Sequence, residues 1–265
     1  MKNIVSEDNV NNIVKNLFND MLTCSDEALE ETVPKVANII EMHAPSKVWY
    51  ITAMIRVLII SGNYVSSNVA NSLLNIISST NEIQAYAAYK IYLAYFEHPN
   101  QKALAQVFLW IAGEFGAILK EGLDPVSHKV LPKVTEDAMI TLVENILITF
   151  EDKITQQIGM NTAIKLWNRC ASEANRTRLK RMIRDRRAHV DFETQIRSNE
   201  YRNLLSKAWD GKRAPVLEAI PPPLQTLSYV SEKPTGAMDL ASIAKTKLPT
   251  EPRKLVSKEK NPDVD

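Results

Sequence analysis

The sequence predicts an all-α protein, a stack of antiparallel helix hairpins followed by a disordered tail, and three observations carry that reading. Apolar residues recur every third or fourth position from the start of the chain to about residue 220, the spacing that puts them on one face of a helix. Glycine is scarce, with 7 among 265 residues, whereas long sheet proteins need glycine-rich turns. From Pro221 the composition changes to Pro, Lys, Ser and Thr with few large apolar side chains. Such a segment cannot bury enough surface to offset its ordering entropy. The expected division is therefore a helical body over 1–220 and a disordered, hinge-like tail over 221–265.

Taken in order, the pattern places helices at 8–23, 26–43, 47–61, 66–78, 82–96, 101–119, 136–149, 155–172, 176–187 and 190–208. Ser46, after Pro45, is positioned to cap the third, because its hydroxyl can accept an orphan backbone N–H. From Val48 to Ile60 this helix is apolar nearly all round, apart from Tyr50, Thr52 and Arg56, and so must be packed on several sides. Gly62-Asn63 is its stop signal. Asn81, before Glu82, is the expected cap of the fifth helix, and Ser79–Asn81 and His98–Asn100 are short breaks on either side of it. In the sixth, Leu104, Val107, Phe108, Ile111, Phe115 and Ile118 trace one stripe. Gly113 and Gly116 within it imply close approach of a neighbouring helix or an early helix end before Lys120-Glu121-Gly122. Thr135, before Glu136 and Asp137, caps the seventh, and those acids suit the positive end of the helix dipole. Successive pairs repeat at about 35–45 residues, the period of HEAT or armadillo α-solenoids. An irregular helical domain has the same periodicity.

Several function classes find no support. The net charge of +1 gives no global field toward nucleic acid. Two cysteines, Cys24 and Cys170, form no disulfide framework and suit a reducing compartment. The start, MKNIVSEDNVNN, turns polar too soon for a signal peptide. The run from Ala103 to Leu119 is short for a bilayer and contains Gln106 and Glu114, so it reads as a buried helix. Trp49 and Trp110 read as core anchors, and Cys170 as a buried small hydrophobe. The four histidines have no partner at metal-ligand spacing, and no catalytic constellation assembles. No catalytic, metal or cofactor-binding residue is therefore expected, and no cofactor.

Four strings, in the same order and spacing, resemble the gamma-adaptin type of clathrin-adaptor large chain. APSKVWYITAMIRVLIISGNYV (Ala44 to Val65) is similar to the trunk segment that opens Pro-Ser-Lys-x-Trp and closes Gly-x-Tyr-Val. ALAQVFLWIAGEFGAIL carries the Trp and the Gly-Glu-aromatic-Gly turn, here Gly113 to Gly116. VTEDAM (Val134 to Met139) resembles the capped start of the following helix, and DFETQIRSNEYRNLL (Asp191 to Leu205) the last trunk helices. The resemblance implies the second half of the trunk plus the start of the hinge. It implies an α-solenoid that holds a beta-type large chain, a medium chain and a small chain. Such a complex selects membrane cargo and recruits clathrin at the trans-Golgi network and endosomes, brought there by an ARF-family GTPase and phosphoinositides. Any contact of this chain with clathrin would be indirect, and ARF and cargo would be met through the full complex. The expected location is cytoplasmic, peripheral on Golgi, endosome and clathrin-coated vesicle membranes. The first half of the family's trunk and the appendage are not matched, so none of their sites is carried over. Met238-Asp239-Leu240 is only a faint echo of a clathrin box.

The densest basic run lies at Arg176, Arg178, Lys180, Arg181, Arg184, Arg186 and Arg187. Spacings of three and four put Arg176, Lys180, Arg184 and Arg187 on one helix face. That face is a candidate site for acidic lipid headgroups, at roughly 1 kcal/mol per basic residue, or for an acidic partner surface. It reads first of all as a solvated face of a terminal repeat helix. Nucleic acid is not expected there, because stacking aromatics are absent from the run. The function expected is a non-catalytic scaffold in vesicle-mediated transport. The alternatives are another helical-repeat scaffold, as in nuclear transport, or a lipid-binding module using residues 176–187.

Overall fold

The computed structural model describes residues 5, 6, 9–123 and 130–221. The described residues form eleven α-helices, three short 3-10 turns and one isolated bridge between Leu123 and Val130, with no longer strand. The helices are α1 (Val10–Thr23), α2 (Asp26–His43), α3 (Lys47–Ser61), α4 (Ser67–Ser79), α5 (Asn81–Glu97) and α6 (Lys102–Glu121), then α7 (Glu136–Thr149), α8 (Lys153–Arg169), α9 (Glu173–Asp185), α10 (Phe192–Leu204) and α11 (Arg213–Val216). Residues 222–265, including the 238–240 segment, lie outside the described residues, so the expected tail does too beyond Pro221.

Most helices pack on a neighbour in sequence and on the next but one. Thus α1 meets α2 and α3, α6 meets α5, α7 and α8, and α9 meets α7, α8 and α10. This near-neighbour pattern is the signature of a solenoid, in which a hairpin buries its apolar face only by stacking on the next. One contiguous cluster runs through the stack from Val10 to Leu217. Helix α3 is buried all round because α1, α2, α5 and α6 surround it. Helix α6 is long and apolar enough to cross a membrane by composition, but most of it is buried among α5, α7 and α8.

The helix limits follow capping chemistry. The hydroxyl of Ser46 accepts from Trp49 N at 3.2 Å and that of Thr135 from Ala138 N at 3.1 Å, as the sequence led one to expect. Gly62 ends α3 with φ +53°, a conformation open to glycine. Asn81 is not a cap. It is the first residue of α5, where its Oδ1 accepts from Gln84 Nε2 at 3.2 Å. Later starts shift because further caps operate: Asp152 accepts from Thr155 N, Ser172 from Asn175 N and Asp191 from Thr194 N. They start α8 and α9 two or three residues earlier than apolar spacing suggested, and α10 two residues later. Helix α9 stops at Asp185, and Arg186–Ala188 form a 3-10 turn.

Both glycines of α6 mark close packing. A Cβ on Gly113 would lie 3.3 Å from Thr162 Cα of α8, and one on Gly116 would meet Leu166 and Met139. Between them the helix kinks at Phe115, with φ −115° and ψ 15°. Beside the kink, Arg169 of α8 donates to the oxygens of both Gly113 and Glu114, the latter at 3.1 Å. The helix ends at Gly122, left-handed at φ +64°.

Candidate functional site

The basic stretch of α9 is divided by the fold into struts and free cations. Ser172 starts the helix so that Leu179, Met182 and Ile183 face the core. Arg178 then reaches α7, donating to Asp137 at 2.6 Å, to Thr141 at 2.9 Å and to Glu144. The hydrogen bond with Glu144 holds its pKa above the ordinary guanidinium value. Arg186 turns inward and donates to Leu147 O at 3.2 Å, to Met182 O at 2.9 Å and to the Gln156 amide oxygen. Burial pushes its pKa down. These two arginines tie α9 and the following turn to α7 and α8.

The four residues singled out by spacing fare differently. Lys180 and Arg184 are exposed on α9. Arg187 is also exposed but lies in the 3-10 turn past the helix end. Arg176 is half-buried, 3.7 Å from Glu173, with its guanidinium 5.6 Å from the centroid of the Trp167 ring. The Arg213 guanidinium lies over the same ring at 4.9 Å. The outward cations are thus Lys180, Arg184 and Arg187, with Arg181 beside them 3.6 Å from Glu144. Exposed charges of this kind stay hydrated, so their attraction to an acidic surface is modest each, additive over several and sensitive to salt.

The nearest approach to a reactive centre is where the α7 N-terminus meets the α8–α9 connection. The Glu136 carboxylate accepts from Lys120 Nζ at 2.5 Å, Cys170 Sγ at 3.0 Å, Ala171 N at 3.1 Å and Ser172 N at 3.4 Å. The hydrogen bonds from Lys120 and Cys170 hold its pKa down at about 2. Burial and the Glu136 hydrogen bond push the Cys170 thiol up to about 11. A nucleophilic cysteine needs the opposite shift, and a carboxylate at about 2 is too weak a base to take a proton from it at neutral pH. The cluster acts as a clamp between α6, α7 and the start of α9. Sequence reasoning saw Glu136 only as a first-turn acid, because its partners lie 16 to 36 positions away. Among the described residues no group of His, Cys, Asp and Glu is arranged to hold a metal ion.

Two tryptophans also part company. Trp49 is fully buried, and its indole N–H donates to Asn11 Oδ1 at 2.5 Å. Trp110 is only half-buried, edge-on to Phe115 with ring centroids 5.7 Å apart, and lines a groove with residues of α4 and α8.

Comparison with known proteins places this geometry in context. A family model described as the adaptin N terminal region matches residues 1–209. The chain is 33% identical to the AP-1 complex subunit gamma of Dictyostelium discoideum over 83% of its own length and 24% of that protein's. It is 28% identical to the mouse AP-1 complex subunit gamma-like 2, over 94% of this chain and 31% of the relative. Similarity reaches the Dictyostelium AP-2 complex subunit alpha-2 at 25% identity, over 79% of this chain and 20% of that one. The chain spans about a quarter of the length of the curated relatives it matches.

Proposed function

Since the chain belongs to the adaptin N-terminal region family, we propose that it is a non-catalytic scaffold subunit of a clathrin-associated adaptor complex. The carrying observation is the family match along nearly the whole helical body, with AP-1 gamma subunits among the relatives. In this reading the residues up to about 220 are the latter half of a gamma-type trunk, and 221–265 are a tether. The outer faces of the hairpins hold a beta-type large chain, a medium chain and a small chain, burying on the order of a few thousand Å² as obligate interfaces do. The complex sorts cargo between the trans-Golgi network and endosomes. Its ARF-family GTPase, cargo and clathrin act through the whole assembly, peripheral to the membrane. The absence of a poised nucleophile at Cys170 fits a scaffold. The test is affinity capture from cytosol on the immobilised chain, with quantification of the three other adaptor chains. Stoichiometric recovery is the expected result, and capture of transport receptors' cargo or a Ran-type GTPase in their place would replace the reading.

A second reading rests on Lys180, Arg184 and Arg187, which are exposed, with Arg184 3.4 Å from its own neighbour Asp185. We propose that with Arg176 they form a surface for acidic lipid headgroups or an acidic partner. Reversing Lys180, Arg184 and Arg187 to Glu should abolish sedimentation with phosphatidylserine- and phosphoinositide-containing liposomes at low salt; unchanged sedimentation dismisses the lipid.

A further inference from the structure

A cleft of about 210 Å³ opens between α3 and α5, and it is lined by a cation with no counter-ion among the described residues. Arg56 is the one charged residue in the apolar run from Val48 to Ile60. It is 5% exposed, and its Nε and Nη2 are enclosed without any acceptor. Buried guanidinium groups ordinarily bring their partners with them. Three other inward-turned arginines do so, and half-buried Arg176, whose Nε is also enclosed without an acceptor, has Glu173 3.7 Å away. Arg169 donates to carbonyls of α6, Arg186 to Gln156, Leu147 and Met182, and Arg213 to Leu204, Ser206 and Asp210. Arg56 is the exception, and burial pushes its pKa down only to about 10, so it stays charged at neutral pH.

The surroundings narrow the missing partner. Ile55, Ile59 and Leu93 give the cleft aliphatic walls, and Lys90 stands exposed beside them. Glu97 is the one acid lining the cleft, but it is exposed and not within ion-pair distance of Arg56. His98 adds no positive charge, because burial holds its pKa below the usual imidazole value. A dianion such as phosphate would meet aliphatic walls and the Glu97 carboxylate; a single carboxylate on an apolar stem fits both the charge and the walls. The volume is below the roughly 300–1,000 Å³ that encloses a small-molecule ligand. It suits one side chain. Nε and Nη2 are sealed from solvent, so an incoming carboxylate meets Arg56 at the part that lines the cleft and serves there as its counter-ion.

We propose that the α3–α5 cleft is a receptor for one Asp or Glu side chain, flanked by apolar residues, that a partner polypeptide inserts against Arg56. The cleft stands whether or not the chain joins an adaptor complex, and the test needs only the chain itself. The full chain carrying ¹⁵N-arginine is titrated with acetyl-Leu-Glu-Leu-amide, whose one charge is the Glu side chain. The Arg56 Nε–H resonance, identified through Arg56→Met or Arg56→Lys, should move saturably. The matching Gln peptide should bind at least about tenfold more weakly, the loss expected when a charge-assisted pair becomes a neutral one. In a folded Arg56→Met chain the perturbation of neighbouring α3 and α5 resonances should vanish. If that variant does not fold, the Glu-against-Gln comparison on the unsubstituted chain decides alone. Equal binding of the two peptides, no saturable shift, or tighter binding of inorganic phosphate than of the Glu peptide overturns the proposal.

Discussion

At the scale of single residues, Glu136 shows how one carboxylate can organise a junction. It satisfies two backbone N–H groups ahead of α9, receives the Cys170 thiol, and pairs with Lys120. Its folded pKa, about 2, lies below the ordinary carboxylate value of 4.5. A depressed pKa stabilises the fold above the unfolded value, and that contribution is lost as pH falls through the folded one. Glu136→Gln should therefore cost about 1–3 kcal/mol at pH 7, after allowance for solvent screening. The gap between variant and parent should close between about pH 5 and pH 2, as read by urea unfolding across that range. A gap that stays constant with pH would show that the carboxylate's charge is not what holds the junction.

Between helices, the contact of α6 with α8 is the most extensive among the described residues, and two features make it specific. At Gly113 the backbones approach closely, while Thr162 Oγ1 donates to Leu109 O at 2.7 Å. Gly113→Leu should cost about 1–3 kcal/mol by overpacking, measured as a lowered urea midpoint, although leucine favours a helix more than glycine does. Two residues on, the kink at Phe115 is made tolerable by Arg169. Arg169→Met would leave the Gly113 and Glu114 carbonyls without their donor, and a loss of about 1–3 kcal/mol is expected from thermal or urea melts. Arg169→Lys should recover part of it, since one ammonium cannot reproduce the fork of a guanidinium. Nearby, Lys165 pairs with Glu114, whose other oxygen accepts from Ile220 N at 3.0 Å. The segment after α11 is thereby fastened back onto α6.

Across the whole molecule, burial falls toward the C-terminal end of the stack. Helix α6 buries residues on every turn, from Ala103 to Leu119, whereas α10 buries only Thr194 and Ser198. Local opening follows buried contact density, so amide hydrogen exchange should be slowest in α3 and α6 and faster by at least about tenfold in α10. Protection in α10 equal to that in α6 would mean that the stack opens as one unit. Val190 and Phe192 stand exposed at this end of the stack.

Much of this architecture was written locally. Periodicity located ten helices, and Ser46, Thr135 and Gly62 marked ends where the structure has them, because apolar spacing and capping act within a few residues of chain. The all-round apolar character of α3 likewise announced that neighbours would surround it. The starts of α8, α9 and α10 were misplaced because apolar spacing was followed where Asp152, Ser172 and Asp191 set the limit. Distance along the chain hid the rest. Only packing decided that Arg178 and Arg186 would become struts while Lys180 and Arg184 stayed outside, since the acceptors they reach on α7 and α8 lie at least 34 and 30 residues away. In the same way, a lone arginine in an apolar helix gives no sign of whether a carboxylate will fold against it, and at Arg56 the tertiary structure supplied none.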